Sequence, residues 1–334
     1  MSVPTPRQRA LRSPRVDGRV PRAANTLEHQ VFLISRLTPR DRWLAAMLHE
    51  HRVLTSPQIT RLAFPSERAA RARLRELFQW SVLDRFQPFV TYGTAPMHYV
   101  LGPAGATVLA AQHGVDGKDL GYRRERAFAV ANSLRLAHLI GTNDLLSTLA
   151  ATRGRDEAGL TCWWSEARCT RHIGDLVRPD AYAHWHSPRT DLGAYLEFDL
   201  GTESLTQLTR KLSGYHDLAQ ATGHTTPVLI WLPTTRRETT ARRALHRAWT
   251  QLARPATVPI ATATPQPVFD PAAHVWLPLD ATGPRLSLSA LPDHWPDLAA
   301  PDTTSEHDPP SPAGATVLLP PPPPRAPAMR PGDR

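Results

Sequence analysis

The sequence is poor in cysteine, in lysine and in long apolar runs. Its 334 residues include two cysteines, Cys162 and Cys169, too few for a disulfide framework. No apolar run approaches the roughly 20 residues that a membrane-spanning helix needs. The basic start of the chain is not followed by the apolar core of a secretory signal. These absences favour a protein of the reducing cytoplasm with no membrane partner.

Lysine is nearly absent from a chain that is otherwise basic. Lys118 and Lys211 are its lysines, and arginine supplies every other cation among 39 Lys and Arg, against 30 Asp and Glu. An arginine codon bias explains this composition, because no function requires arginine in place of lysine throughout a chain. The net charge of +9 favours a polyanionic partner, and the rarity of lysine draws attention to Lys211.

The chain has two central regions with apolar periodicity, and its two ends are rich in arginine or proline. Residues 1–34 contain arginines and prolines without apolar periodicity, which predicts a disordered basic arm. Residues 296–334 are Pro-rich and include the proline run 320–324, which predicts a disordered, extended tail. Between these ends we expect an α+β protein, with one domain over residues 35–114 and a second over residues 122–290.

The first patterned region begins with three short helices. Thr38, Thr55 and Ser66 are suitable N-cap residues, and the apolar residues that follow each of them recur at helical spacing. Two strands follow, over residues 81–86 and 98–101, and then a further helix.

Arginines lie along one face of the third predicted helix. Arg68, Arg71 and Arg75 are three and four positions apart, so their side chains share the side opposite the apolar stripe. Two helices joined by a tight turn, with cations on the second helix and a strand pair after it, are typical of a winged helix-turn-helix. We therefore predict that these arginines bind double-stranded DNA. The alternative is an amphipathic helix with a solvated arginine face.

The second region contains a set of carboxylates. Asp180 opens one predicted strand, Glu197 and Asp199 share a face of the next strand, and Glu203 begins the following helix. Neighbouring carboxylates repel one another, whereas Mg²⁺ or Mn²⁺ would neutralise them. The sequence therefore predicts a divalent metal held by Asp180, Glu197 and Glu203. The alternative is that these carboxylates bind arginines of the same chain or cap a helix.

The order of these residues resembles the core of the PD-(D/E)xK nucleases. Asp180 follows a proline and Glu197 follows on the next strand, although Asp199 stands where the usual lysine would be. Some proteins of that fold carry the lysine on the neighbouring helix, where Lys211 lies. The resemblance implies an α/β nuclease-like core in which Glu197, Asp199 and Lys211 are catalytic.

Other kinds of site have weaker support. The cysteines and histidines lack a CxxC pair, so we expect no zinc site; the candidates were Cys162, Cys169, His172, His184 and His186. No Gly-rich phosphate loop is present, so we expect no nucleotide cofactor. A tyrosine nucleophile is a further alternative, although buried tyrosines are more common; the candidates are Tyr182, Tyr195 and Tyr215.

Several short blocks follow one another over about residues 35–250. They are residues 37–41, 70–74 with Leu77, 98–101 with Gly105, His138 with 143–144, 178–180, 196–203, and Lys211, Leu212 and Tyr215. With these blocks the chain resembles the replication-relaxation family of actinobacterial and other Gram-positive plasmids and mobile elements. The block that starts at Glu197 is its most specific part.

The resemblance implies a DNA-binding protein of a plasmid or integrative element. Its role would be in plasmid replication, DNA relaxation or mobilisation, with a relaxase or a replication protein as partner. Metal-dependent endonuclease activity is one hypothesis for the carboxylate site. The alternatives are a catalytically inactive accessory module of the relaxosome or replication machinery, and a winged-helix transcriptional regulator.

Overall fold

The protein is a mixed α+β protein with two compact units. The computed structural model describes residues 12–16, 22–90, 93–152, 157–202, 204–267, 269–295, 298 and 317–327. Of these described residues, the first unit comprises those from 12 to 147 together with 317–327, and the second comprises those from 148 to 298. Over the described residues there are eleven α-helices and two β-sheets.

The first unit contains seven of the described helices. They are α1 (Leu27–Arg36), α2 (Pro39–His51), α3 (Ser56–Ala63), α4 (Glu67–Gln79), α5 (Pro103–Gln112), α6 (Arg124–Ala129) and α7 (Leu136–Ala151), whose last turn passes into the second unit. The predicted caps are present: Thr38 and Asp41 form a capping box at α2, and Ser66 accepts the N–H of Ala69 at α4. The three short helices predicted from these caps are confirmed.

A small antiparallel sheet completes the first unit. Its strands are β1 (Arg12–Val16), β2 (Leu54–Thr55), β3 (Leu83–Phe89) and β4 (His98–Leu101), in the order β1-β3-β4-β2. β4 pairs with β3 on one side and with β2 on the other, so the short strand before α3 joins the pair that follows α4. Gly105 on α5 allows a close approach, because a Cβ there would lie 2.2 Å from the carbonyl oxygen of Val82.

The second unit is built on a mixed six-stranded sheet. Its strands are β5 (Gly159–Ser165), β6 (Ala181–His186), β7 (Asp191–Phe198), β8 (Val228–Trp231), β9 (Ile260–Ala263) and β10 (Leu277–Pro278). Their order in the sheet follows the chain from β5 to β10. β5, β6 and β7 are antiparallel, β8 is parallel to both β7 and β9, and β10 is antiparallel to β9.

Four helices accompany this sheet. They are α8 (Glu166–Ile173), α9 (Leu205–Thr222), α10 (Thr235–Trp249) and α11 (Leu291–His294). α9 and α10 bury their apolar faces with β8 and β9; this core includes Leu208, Leu212, Tyr215, Val228, Ile230, Ala241, Leu245 and Ile260. α9 follows β7 directly, and therefore begins at the end of the sheet where Glu197 lies.

The division between the units falls at residue 147, later than the predicted boundary between residues 114 and 122. The start of α7 packs on the first unit, where Leu136 and Ile140 share a core with Val53, Phe86 and Val100. Apolar periodicity alone cannot show which core the apolar face of a helix will join. The boundary at residue 147 follows from this packing.

Two segments predicted to be disordered are ordered in part. The basic arm was expected to reach residue 34, but α1 covers residues 27–36, because Leu33 and Leu37 are buried. In the Pro-rich tail, residues 317–327 are placed, and Leu319 is buried. The rest of the tail expected over 296–334 lies outside the described residues, except for residue 298.

No helix in the described part of the chain is both long enough and apolar enough to cross a membrane.

Candidate functional site

Asp180 and Glu197 lie side by side because their strands pair. Ala181 on β6 is opposite Leu196 on β7, and the N–H of Asp180 donates to the carbonyl of Leu196 at 3.1 Å. The Oδ2 atom of Asp180 accepts the N–H of Phe198 at 2.8 Å. The Asp180 carboxylate is therefore held at the end of β7, next to Glu197.

α9 supplies two donors to Glu197. Lys211 and Tyr215 are four positions apart, so they share one face of the helix. The ammonium of Lys211 pairs with Oε2 of Glu197 and lies 3.9 Å from Oδ1 of Asp180. The hydroxyl of Tyr215 donates to Oε1 of Glu197 at 2.5 Å. Each oxygen of Glu197 thus has its own donor, and Lys211 lies near both carboxylates.

This cluster is closed from solvent on most sides. Glu197 is 3% exposed and Asp180 is 7% exposed. Burial, reinforced by the negative charge of Asp180, raises the pKa of the Glu197 carboxyl to about 8, against the opposing effects of Lys211 and Tyr215. Burial and the neighbouring Glu197 also raise the pKa of the Tyr215 hydroxyl. Burial and the charge of Asp180 therefore favour the protonated form of Glu197 below about pH 8.

Asp199 does not join this network. β7 ends at Phe198, and the carboxylate of Asp199 accepts Nε–H of Arg237 at 2.7 Å and the N–H of Gly201 at 2.6 Å. The prediction that Glu197 and Asp199 share a face of one strand needs a strand through residue 199, whereas β7 ends at Phe198. Asp199 thus follows the alternative stated above, in which a carboxylate binds an arginine of the same chain. Glu203 lies outside the described residues.

Sequence reasoning missed two contacts of this region. Tyr215 was considered as a nucleophile rather than as a partner of Glu197, and its spacing of four from Lys211 was the available signal. Arg237 lies on α10, 38 positions from its partner Asp199, and no local pattern connected the two.

The predicted DNA-binding arginines share an exposed face of α4. Arg68, Arg71 and Arg75 are exposed, and none of them forms an ion pair with any residue that the structure describes. Arg73 on the same helix behaves differently, because its guanidinium binds Asp41 at 2.6 Å and Glu76 at 2.7 Å. The apolar residues Leu74, Leu77 and Phe78 face the core, as predicted.

A cleft of about 300 Å³ adjoins this arginine face. Arg71 and Arg75 line it from α4, Arg85 from β3 and Tyr99 from β4; Ser56, Pro57, Thr60 and Met97 also contribute. Arg85 lies over the ring of Phe78, with its guanidinium carbon 4.1 Å from the ring centroid. Three arginines therefore converge where the helix pair meets the strand pair.

The other candidate residues have different partners. His184 contacts Thr161 at 2.6 Å, His186 contacts Asp191 at 2.7 Å, and His172 stacks on Trp164. Among the described residues, no group of three or more His, Cys, Asp and Glu side chains is arranged to hold a metal ion. Burial raises the pKa of the Tyr182 and Tyr195 hydroxyls, which disfavours their nucleophilic phenolate forms.

The fold and this site define a two-unit α+β protein with a buried Asp-Glu-Lys-Tyr cluster at the end of a sheet strand. The family model described as Replication-relaxation matches residues 46–230, which include α4 and all four residues of the cluster. The chain belongs to the replication-relaxation family, as the sequence blocks predicted. No curated protein and no solved structure matches the chain.

Proposed function

We propose that this chain binds double-stranded DNA and acts in the replication, relaxation or mobilisation of a plasmid or integrative element. The observation that carries the proposal is the exposed arginine face of α4, formed by Arg68, Arg71 and Arg75. Membership of the replication-relaxation family supports the same role. A relaxase or a replication protein is the proposed protein partner.

The order of elements supports a winged helix-turn-helix. α3 and α4 are separated by three residues, and β3 and β4 follow α4 as an antiparallel pair. β2 joins this pair from between α2 and α3. In this arrangement α4 is the recognition helix that enters the major groove, and the β3–β4 pair is the wing that lies along the backbone.

The chemistry of the arginine face suits DNA. Guanidinium groups bind phosphate oxygens and the edge of guanine with two parallel hydrogen bonds. Arg71 and Arg75 lie one helical turn apart and border the cleft that Arg85 enters from the wing. A DNA backbone or groove edge placed there would contact cations from both α4 and β3.

Titration of a labelled random-sequence duplex tests this proposal. We expect Arg71→Ala with Arg75→Ala to weaken binding about tenfold and to lower the salt slope by about 0.9 for each lost phosphate contact. The matched control is Arg243→Ala with Arg247→Ala, which removes two exposed arginines from α10. Equal losses in both variants would show that net charge, rather than α4, accounts for binding.

Metal-dependent endonuclease activity is a second candidate function. The observation that favours it is the buried pair Asp180 and Glu197 with Lys211 beside both carboxylates. Asp180 and Glu197 come from adjacent strands and Lys211 from the next helix, as the resemblance to the PD-(D/E)xK core requires. Because Asp199 binds Arg237, the proposed catalytic set is Asp180, Glu197 and Lys211 rather than one that includes Asp199.

The two carboxylates fit Mg²⁺ or Mn²⁺. Mg²⁺ is commonly held by one or two carboxylates together with waters and substrate phosphates, so a third protein carboxylate is not required. When bound, the metal would polarise the phosphate and lower the pKa of a bound water. Glu197 must lose its proton to act as a ligand, and Lys211 must move from Glu197 to reach the phosphate. Lys211 would then stabilise the negative charge that develops on the phosphate oxygens.

Supercoiled plasmid incubated with the protein and Mg²⁺, Mn²⁺ or EDTA tests this second function. We expect metal-dependent conversion to open circle, lost in Glu197→Ala and in Lys211→Ala. Lys118→Ala is the matched control, since Lys118 is the other lysine and is exposed in the first unit. Unaltered plasmid together with a persistent gel shift would instead support an accessory DNA-binding role. Nicking that persists in Glu197→Ala would show that the metal site is elsewhere.

A further inference from the structure

The proline run near the end of the chain is seated on the first unit. The indole N–H of Trp43 on α2 donates to the carbonyl of Pro323 at 2.7 Å, across 280 positions of sequence. The N–H of Val317 donates to the carbonyl of Asp119 at 2.8 Å. Two hydrogen bonds thus attach this segment to the folded unit, one before the prolines and one within them.

Proline chemistry restricts the shape of this segment. Each proline has φ near −65° and lacks an N–H, so five in succession at 320–324 cannot join a helix or a sheet ladder. They favour a polyproline II helix, which has three residues per turn. Residues 320–323 show neither helix nor strand, in agreement with this expectation.

The burial of the segment follows the same period of three. Leu319 and Pro322, three positions apart, are buried, and so is Pro324. Pro320 and Pro323, also three apart, are exposed. One ridge of the polyproline II helix therefore faces solvent, while the other two face the first unit.

The contact with Trp43 is chemically selective. The indole N–H is a donor only, and the carbonyls of a polyproline helix are acceptors that its own backbone leaves without partners. A buried tryptophan that places its N–H on such a carbonyl satisfies both groups. Aromatic surfaces of this kind are a general means of binding Pro-rich ligands, because the ligand is already extended before it binds.

We propose that the first unit carries a polyproline-binding site centred on Trp43, and that the chain's own residues 318–324 occupy it. The ligand class is a short polyproline II peptide with leucine before the prolines. The site binds the same peptide in trans when the chain's own segment is displaced. Because the segment is covalently attached, its effective concentration at the site is high, so a free peptide competes poorly with it. This proposal is independent of DNA binding and of metal binding.

The test uses four full-length proteins and one labelled peptide. Pro322→Arg with Pro324→Arg places two charges on buried positions of the tail and vacates the site. We expect a peptide of residues 317–327 to bind this variant at least about tenfold more tightly than it binds the wild type, as measured by fluorescence anisotropy. Adding Trp43→Phe to the vacated variant removes the N–H donor and should weaken binding about tenfold.

Trp249→Phe in the vacated background is the matched control. Trp249 lies in the second unit, where its indole N–H also donates to a backbone carbonyl, that of Val258 at 2.9 Å. We expect this control to bind the peptide as the vacated variant does. Circular dichroism verifies that each variant is folded. A folded vacated variant that does not bind the peptide would overturn the proposal. Equal binding by wild type and vacated variant would overturn occupancy by the chain's own segment.

Discussion

The ammonium of Lys211 pairs with the carboxylate of Glu197, which lies 14 positions earlier in the chain. Glu197 is the penultimate residue of β7 and Lys211 lies on α9, the helix that follows, so the pair links the two elements across the turn between them. Asp180 approaches the same ammonium at 3.9 Å from the neighbouring strand. One cation therefore lies beside two buried carboxyl groups. Because the pKa of Glu197 is raised to about 8, its protonation should be visible in measurements of stability against pH.

We expect the free energy of unfolding to fall as pH rises between about 4.5 and about 8. The pKa of Glu197 is raised in the folded protein to about 8, so in this range the folded state binds more protons than the unfolded state. The slope contributed by one such group is at most about 1.4 kcal/mol per pH unit. Glu197→Gln should remove this contribution, as measured by urea unfolding at several pH values.

Glu238→Gln is the control for this pH dependence. Glu238 is also a buried glutamate of the second unit, and its carboxylate binds Arg285 at 2.5 Å. This variant should lose stability through its broken ion pair while it keeps the slope of the wild type. A slope that is the same in wild type and Glu197→Gln would contradict the raised pKa of Glu197.

Tyr215→Phe should destabilise the protein more at high pH than at low pH. The Tyr215 hydroxyl bonds Glu197 at 2.5 Å and lowers the pKa of that carboxyl, so its loss should raise the pKa further. Hydrogen bonds to charged groups contribute about 1.5–3 kcal/mol, more than those to neutral groups, so the loss grows as Glu197 ionises. Tyr195→Phe, on the ring 5.5 Å from that of Tyr215, is the comparison. Unfolding curves at pH 6 and pH 9 that shift equally in Tyr215→Phe would refute this prediction.

Local patterns predicted the parts of the site that lie close in sequence. An N-cap and apolar periodicity located α4, and a helix was expected after the strand of Glu197, so the arginine face and Lys211 were both placed on helices. Asp180 and Glu197 were placed on successive strands, and the antiparallel pairing of β6 with β7 brings the two residues together. The proximity of Asp180, Glu197 and Lys211 is consistent with these patterns, whereas their catalytic role stays a prediction.

Partners that are distant in sequence could not be predicted in this way. Arg237 pairs with Asp199 from the second helix after it, and Trp43 binds a carbonyl 280 positions away. Composition correctly indicated that the proline run cannot form a core of its own. It could not show that another part of the chain would bind the run. Helical spacing likewise could not show that the Tyr215 hydroxyl meets a carboxylate.

Two neighbouring arginines of α4 should differ sharply in their effect on stability. Arg73 binds both oxygens of Asp41, at 3.1 and 2.6 Å, and Asp41 is almost fully buried at the start of α2. Arg73→Ala leaves that carboxylate without its cation and should cost about 3 kcal/mol. Arg75→Ala removes an exposed side chain and should cost less than about 0.5 kcal/mol. Urea unfolding measures both, and equal costs would show that Asp41 does not depend on Arg73.

Asn143 should be required for the structure of the first unit rather than for chemistry. Its side-chain amide donates to the carbonyl of Val53 at 2.8 Å and to that of His51 at 3.3 Å, where α2 ends. Both carbonyls lie beside Arg52, whose φ of 67° breaks the helix, so the amide satisfies acceptors that α2 leaves exposed.

Two near-isosteric substitutions separate this role from simple packing. Asn143→Leu removes the donors and should cost about 1–3 kcal/mol, because two buried acceptors lose a partner. Asn143→Asp also removes the donors and places a negative charge against the same oxygens, so we expect a larger loss that diminishes at low pH, where the aspartate is protonated. Thermal unfolding at pH 7 and pH 4 measures both effects. Wild-type stability in Asn143→Asp at pH 7 would show that the amide is not the partner on which the end of α2 depends.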